Sequence, residues 1–289
     1  MYQIKSKPGD FVVSEISNVE LKEKGKWAYF WMTKRDYNTL DVIKIIARKL
    51  GLKEKEIGFA GSKDKKAITS QVISISKVKK EKVLSLKLKD ISLEFLGYGA
   101  EKITLGDLEG NSFEIVVRGV KDVKGKDKVV NYFGEQRFGG NNIDVGRALV
   151  KKDFAKACKL LGWEVSRNDY IGALKKTPIR LLRLYINAFQ SWLWNETVDS
   201  SFEEWPLVGW DTDLANFPTI KEKLDLEAVA TSDFVIKQIP ALSLEGEMRK
   251  VWLLIKDFKI LDKGEDFVKV GFTLGKGSYA TEVIKQLIS

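Results

Sequence analysis

Residues 58–71 show the pattern with the clearest capacity for chemistry: one carboxylate, Asp64, among three lysines and between two apolar runs. Two glycines in the stretch favour a tight loop, and a loop beside a sheet can present a fixed side chain to a ligand. The positive charges of Lys63, Lys65 and Lys66 favour the ionised carboxylate. The pattern indicates a catalytic carboxylate reached by a polyanion. A Lys-rich turn with one charge-balancing acid explains the loop alone equally well.

Strands are expected on both sides of this loop. Residues 71–76 alternate apolar and polar side chains, which predicts a half-buried strand directly after it. Residues 11–16 have the β-branched and aromatic content of a strand, and residues 27–32 are too apolar to form an exposed edge. The loop is therefore expected to lie beside a sheet.

Helices are predicted by three- and four-residue apolar spacing. In the first, Asn38 and Thr39 supply N-cap chemistry and Gly51 ends the helix. Residues 144–161 and 178–199 form two further amphipathic helices. Strand-rich sequence at both ends of the chain, with helices between, predicts a sheet domain into which a helical domain is inserted.

The composition excludes several kinds of catalysis. The chain of 289 residues has no histidine and one cysteine, Cys158. Ser-His-Asp and Cys-His catalysis, histidine-ligated zinc and a thiolate metal cluster are thereby excluded. Acid–base chemistry is left to Asp, Glu, Lys or Tyr. With no possible intrachain disulfide, no apolar run near the ~20 residues of a membrane span and no signal-peptide core, a cytoplasmic protein without membrane attachment is expected.

The positive charge is concentrated in the first part of the chain. Residues 1–80 hold 18 Lys and Arg against 9 Asp and Glu, whereas residues 81–289 hold 31 of each. A localised basic surface is typical of a nucleic-acid binder. A Lys-rich solvated surface, as in proteins from hot environments, is the alternative.

Five stretches, in the same order along the chain, resemble the signatures of the TruD/Pus7 family of tRNA pseudouridine synthases. Residues 61–71 resemble G-x-K-D-x-x-A-x-T-x-Q, residues 131–139 resemble N-Y-F-G-x-Q-R-F-G, and residues 188–195 are similar to the Y-Q-S-Y-L-F-N helix. Weaker matches are residues 10–15 and 275–281. Because five matches in the same order cover almost the whole chain, they carry far more weight against a chance origin than a lone motif does.

The resemblance implies an α+β fold with a mixed, mainly antiparallel catalytic sheet domain and an inserted, helix-rich TRUD domain. We expect the catalytic domain at residues 1–140 and 243–289 and the inserted domain at 141–242, which looks short for the family. The implied reaction is isomerisation of a tRNA uridine, usually uridine 13, to pseudouridine. The implied partner is tRNA, with no cofactor, no metal and no obligatory protein partner.

The resemblance also implies roles for individual residues. Asp64 is the expected catalytic carboxylate, and whether it attacks the sugar, attacks the base or removes a ribose proton stays open. Phe133 is expected to stack on a uracil flipped out of the RNA, and Asn131 to orient the carboxylate or the substrate. Arg137 either pairs with a phosphate or supports Asp64. The remaining candidates for RNA contact are Lys5, Phe11, Glu15, Lys63, Gln190, Ser191, Asn195, Arg249 and Lys276. A core position is the alternative for Phe11, and buried helix packing is the alternative for the three polar residues of the 188–195 helix.

Two other functions are compatible with parts of the sequence. A non-catalytic tRNA-binding or RNA-folding module would share the basic surface, but it has no need of a carboxylate facing RNA phosphates. A metal-dependent nuclease is disfavoured because no second or third carboxylate lies near Asp64 in the sequence.

Overall fold

The computed structural model describes residues 2–288. The strands are β1 (Phe11–Ile16), β2 (Trp27–Arg35), β3 (Ile57–Phe59), β4 (Ile68–Ser76), β5 (Ile91–Gly99), β6 (Gly110–Arg118), β7 (Lys128–Val130), β8 (Glu204–Leu207), β9 (Glu247–Lys250), β10 (Trp252–Leu254), β11 (Lys256–Lys263) and β12 (Phe267–Gly275). The α-helices are α1 (Thr39–Leu50), α2 (Lys80–Leu84), α3 (Asn142–Val150), α4 (Phe154–Leu160), α5 (Tyr170–Lys175), α6 (Ile179–Thr197), α7 (Pro218–Leu226) and α8 (Ala280–Leu287).

The chain divides into two units. Unit 1 extends to Val129 and resumes at Leu254, and unit 2 is Val130–Leu253. The boundaries expected from the sequence, after residues 140 and 242, differ from these, because residues 130–140 and 243–253 fold with unit 2. Asn131, Phe133, Arg137 and Arg249 therefore belong to unit 2 rather than to the sheet.

Unit 1 is built on an eight-stranded sheet, which confirms the predicted mixed α+β fold. The strand order is β11-β12-β6-β1-β4-β2-β5, and β3 also pairs with β4. The β1–β4 pair is parallel and the other pairs described for this sheet are antiparallel. This order places β4, which directly follows the Asp64 loop, between the first two strands of the chain.

The strand β4 is buried on both faces, so the expectation from its alternating sequence that it would be half-buried was wrong. On one face Ile73 and Ile75 pack in the core that contains α1. On the other face Val72 packs with Tyr29 and Ile103. The alternating polar residues of β4 are therefore buried as well and need hydrogen-bond partners inside the protein.

The helix α1 has the predicted apolar face and the predicted end at Gly51, which adopts φ +72° and terminates the helix in the left-handed conformation. Its inner residues, including Val42 and Ile46, are completely buried against the sheet. Asn38 occupies the N-cap position but its side chain makes no capping hydrogen bond. Thr39 instead turns its hydroxyl towards the Asp64 loop.

Unit 2 is rich in helices. The single helix expected over residues 144–161 is in fact α3 and α4, because Lys152 takes φ +59° between them and the Asp153 side chain caps α4 by accepting from the Lys156 N–H. The long helix expected at 178–199 is confirmed as α6. Within residues 2–288, no helix has the length and apolarity that crossing a bilayer requires.

Substitution of Ile46 by alanine should lower the free energy of unfolding by about 2–5 kcal/mol, because it removes buried methyl groups and leaves a cavity between α1 and the sheet. Lys44→Ala on the exposed face of the same helix should change it by less than about 0.5 kcal/mol. Urea unfolding of both variants measures the difference. Equal effects would contradict the packing of α1 on the sheet.

Candidate active site

Asp64 lies on the loop between β3 and β4 in unit 1. The Lys5 ammonium is 3.2 Å from Asp64 Oδ2, and the two side chains are 18% and 27% exposed. The same ammonium lies 4.1 Å from the centre of the Phe11 ring. The Asp64 carboxylate is thus partly accessible and has a cation beside it.

The main chain of this loop is held by a lysine from the end of β2. Lys34 is completely buried, and its Nζ donates to the carbonyl oxygens of Asp64 at 2.9 Å, Lys63 at 3.4 Å and Tyr37 at 2.6 Å. These bonds join the loop to the turn that leads into α1.

Burial lowers the pKa of Lys34 from 10.5 to about 8; the Asp64 charge opposes this shift and the Lys63 charge adds to it. Between pH 8 and 10.5 the unfolded chain keeps the proton that the folded protein has lost. Folding stability contributed by this group therefore rises with pH over that range. At neutral pH the charged form of Lys34 lowers stability.

A second anchor comes from Thr39 and Gln71. The Thr39 hydroxyl accepts from the Lys63 N–H at 2.9 Å and donates to Gln71 Oε1 at 3.0 Å. The Gln71 amide in turn donates to the Gly61 carbonyl at 2.9 Å. Both side chains are buried, so Thr39 on α1 and Gln71 on β4 satisfy each other and two main-chain groups of the loop.

A third anchor is an ion pair between Lys63 and Glu15. Lys63 Nζ lies 2.5 Å from Glu15 Oε2, and the side chains are only 7% and 0% exposed. Glu15 Oε1 also accepts from the Val72 N–H at 3.2 Å. Both residues were expected to contact RNA, but the structure turns their charges towards each other inside the protein. Their position fits a role in fixing the loop.

Two further unit 1 candidates differ in their exposure. Phe11 is 1% exposed and packs edge-on against Phe113, so it belongs to the core and meets the site only through the Lys5 ammonium above its ring. Lys276 is exposed and donates to the Gly106 carbonyl at 3.3 Å.

Unit 2 contains a separate cluster around Phe133. The ring is 7% exposed, and the Arg249 guanidinium lies over it, 3.9 Å from its centre. Arg249 also donates to both the main-chain oxygen of Asn131, at 2.9 Å, and its side-chain oxygen, at 2.8 Å. Trp194 packs edge-on against the Phe133 ring. An aromatic face, a guanidinium and an amide are thereby collected in one place.

The helix α6 supports this cluster. Asn195 accepts from the Phe133 N–H and donates to the Phe133 carbonyl, each at 2.9 Å. Ser191 accepts from Arg137 Nε at 3.3 Å. Gln190 is buried and donates to the Val208 carbonyl at 3.0 Å, which fits a role in helix packing, and its contact with RNA stays a prediction.

The sequence contained a signal for Lys34 that pattern reasoning missed. Phe30, Met32 and Lys34 follow at a spacing of two on one buried face of β2. A lysine that continues an apolar face towards a strand end is a candidate for a buried polar contact. Thr39 carried no comparable signal, because a threonine at the start of a helix is explained by capping.

Side chains that bind metals are not clustered in the described part of the chain. No group of three or more His, Cys, Asp or Glu residues within 2–288 has the arrangement to hold a metal ion. Cys158 is buried, and burial raises the pKa of its thiol, which disfavours the reactive thiolate.

Comparison with known proteins identifies the family. The sequence model described as tRNA pseudouridine synthase D (TruD) matches residues 2–165 and 202–287. The chain belongs to the TruD family of tRNA pseudouridine synthases, which are isomerases. The match covers the Asp64 and Phe133 signatures, whereas the α6 signature at 188–195 lies in the unmatched stretch.

Individual TruD relatives align with nearly the full length of this chain. The tRNA pseudouridine synthase D of Aquifex aeolicus is 27% identical, covering 99% of this chain and 97% of the relative. A probable tRNA pseudouridine synthase D of Methanocaldococcus jannaschii is 30% identical, covering 99% and 95%. The crystal structure of the putative TruD from Methanosarcina mazei superimposes with a TM-score of 0.79 at 26% identity, covering 99% and 93%. The Aquifex alignment spans 375 residues against the 289 of this chain, so that relative has segments that this chain lacks.

Removal of the Lys63 charge by Lys63→Met should lower the free energy of unfolding by about 3–5 kcal/mol, since it leaves the buried Glu15 carboxylate unpaired. Adding Glu15→Gln should recover most of the loss, because the neutral amide oxygen can still accept from the Val72 N–H. Urea unfolding of the wild type, both single variants and the double variant gives the coupling energy. Additive losses would contradict the buried pair.

Proposed function

We propose that the protein converts uridine 13 of tRNA to pseudouridine in the cytoplasm, with Asp64 as the catalytic carboxylate and no cofactor. The observation that carries the proposal is the construction of the Asp64 loop. Its main chain is bound by buried side chains, whereas the carboxylate itself stays 27% exposed with Lys5 beside it. Membership of the TruD family supports the reaction class.

The chemistry demands a group placed in this way. The N1 glycosidic bond must break, the uracil must turn without leaving, and a bond from C5 to the same ribose carbon must form. Attack on the sugar, attack on the base and removal of a ribose proton each need a carboxylate at a fixed distance from the nucleotide. An anchored main chain with a partly exposed carboxylate meets that need for all three routes.

For unit 2 we propose that Phe133 provides a stacking face for the uracil. An aromatic face holds a base and still permits it to rotate. The Arg249 guanidinium, now 3.9 Å above the ring, is planar and stacks where a base would stack. Asn195 fixes both main-chain polar groups of Phe133, so the ring can exchange its partner without moving.

Replacement of Asp64 by asparagine should reduce the rate of pseudouridine formation by at least about 10²–10⁴-fold, since a neutral amide of the same shape can act neither as nucleophile nor as base. Affinity for tRNA should change little, because the main-chain anchors remain. Carbodiimide labelling of a tRNA transcript measures the product. Asp225→Asn, an exposed acid on α7, is the matched control. An Asp64→Asn protein as active as the parent would refute the catalytic assignment.

The position modified is tested with the same assay. A transcript in which uridine 13 is replaced by cytidine should bind but give no product. Product at another uridine would support the pseudouridine synthase activity but refute uridine 13 as the target. Tight binding with no product from any uridine would show a binding module instead.

A further inference from the structure

We infer that Lys34 is a positioning residue of this reaction: its buried ammonium clamps the main chain at Lys63 and Asp64 and so aims the Asp64 carboxylate at the nucleotide. The inference rests on the proposed function, because it takes Asp64 as the catalytic group.

The clamp has the geometry that an ammonium favours. Its three N–H donors are matched by three carbonyl oxygens, those of Tyr37, Asp64 and Lys63, at 2.6, 2.9 and 3.4 Å. Two of these oxygens flank the Cα atom of Asp64, since the carbonyls of residues 63 and 64 stand on either side of it. The Lys34 side chain is completely buried, so water does not compete for these bonds.

A structural role alone does not account for the charge. Lys34 follows Phe30 and Met32 on the same buried face of β2, where another methionine would pack without the cost of desolvating an ammonium. The charged group is therefore a local destabilisation at a strand end that meets the Asp64 loop. Such destabilisation is typical of side chains that serve a site.

The charge also makes the clamp sensitive to pH. The titratable side chains that act on Lys34 are Asp64, which favours its charged form, and Lys63, which disfavours it, and burial brings its pKa to about 8. Above this pH the neutral amine has two donors for three carbonyls. The loop then loses one of its bonds and Asp64 keeps Lys5 but loses a second nearby positive charge. The rate should accordingly fall on the alkaline side.

The test compares Lys34→Met, which removes the charge, with Lys34→Arg, which keeps it at all accessible pH values. Single-turnover rates of pseudouridine formation and dissociation constants for tRNA are measured with the full-length protein. Lys34→Met should lower the rate at least tenfold with the dissociation constant unchanged within twofold. Lys34→Arg should restore the rate to within about threefold of wild type. Lys259→Met, on the edge strand β11 and exposed, is the matched control.

The pH profile separates positioning from simple loss of folding. The wild-type rate should fall with a midpoint near pH 8, and the fall should be absent from Lys34→Arg up to about pH 9. A wild-type rate that stays constant up to pH 9.5 would overturn the inference, and this measurement does not depend on whether any variant folds. A Lys34→Met rate within twofold of wild type would do so too.

Asp64→Asn measured in parallel distinguishes failure of the proposed catalytic role of Asp64 from failure of the proposed Lys34 clamp. If that variant is inactive and Lys34→Met is fully active, the clamp is wrong and the proposed function stands. If Asp64→Asn is active, the proposed catalytic role fails and the clamp fails with it.

Discussion

The attachment of the Asp64 loop to buried polar side chains is the interaction on which the rest of unit 1 depends. Glu15 on β1, Lys34 on β2, Thr39 on α1 and Gln71 on β4 each bind this loop or its side chains. They converge because the sheet order sets β1, β4 and β2 side by side and α1 packs on one face. A different order would leave the same residues far apart.

This arrangement explains why a buried strand carries so many polar residues. Gln71 is completely buried in β4, and an unpaired amide in that position would cost about 1–3 kcal/mol. Two bonds remove that cost: one from the Thr39 hydroxyl on α1, and one to the Gly61 carbonyl, which forms only when the loop is in place. Seating of the loop therefore completes the hydrogen bonding of this buried side chain.

The parts predictable from sequence are those governed by local periodicity and by turn chemistry. The strand β1, the helix α1 with its end at Gly51 and the long helix α6 all follow from such patterns, whereas the mixed sheet was implied by the family resemblance. The covering of β4 on its second face was not predictable, since it comes from residues such as Ile103 that are distant in sequence. The break at Lys152 was missed because a left-handed residue interrupts a continuous apolar stripe without altering it.

The candidate site also has a part that the sequence predicted and a part that it did not. The loop around Asp64 was found because its residue types are unusual together, but a motif does not say which of its members face the ligand. Lys63 and Glu15 turned out to bind each other, and Gln190 a main-chain carbonyl. Burial is a property of the assembled sheet and helices. The sequence alone therefore does not distinguish a charged side chain that faces RNA from one that pairs inside the protein, as Lys63 and Glu15 do.

Both units apply one physical rule: buried side chains fix the main chain at the residue whose side chain we propose to meet the substrate. Lys34 and Gln71 bind carbonyls of the Asp64 loop, and Asn195 binds the two main-chain groups of Phe133. Catalytic geometry must hold to within about 0.5 Å, and a loop secured only at its ends would not meet that tolerance. Bonds from buried side chains to the carbonyls of residues 61, 63 and 64 give the loop that precision, and they leave the proposed chemistry to the Asp64 carboxylate, which is 27% exposed and pairs with Lys5.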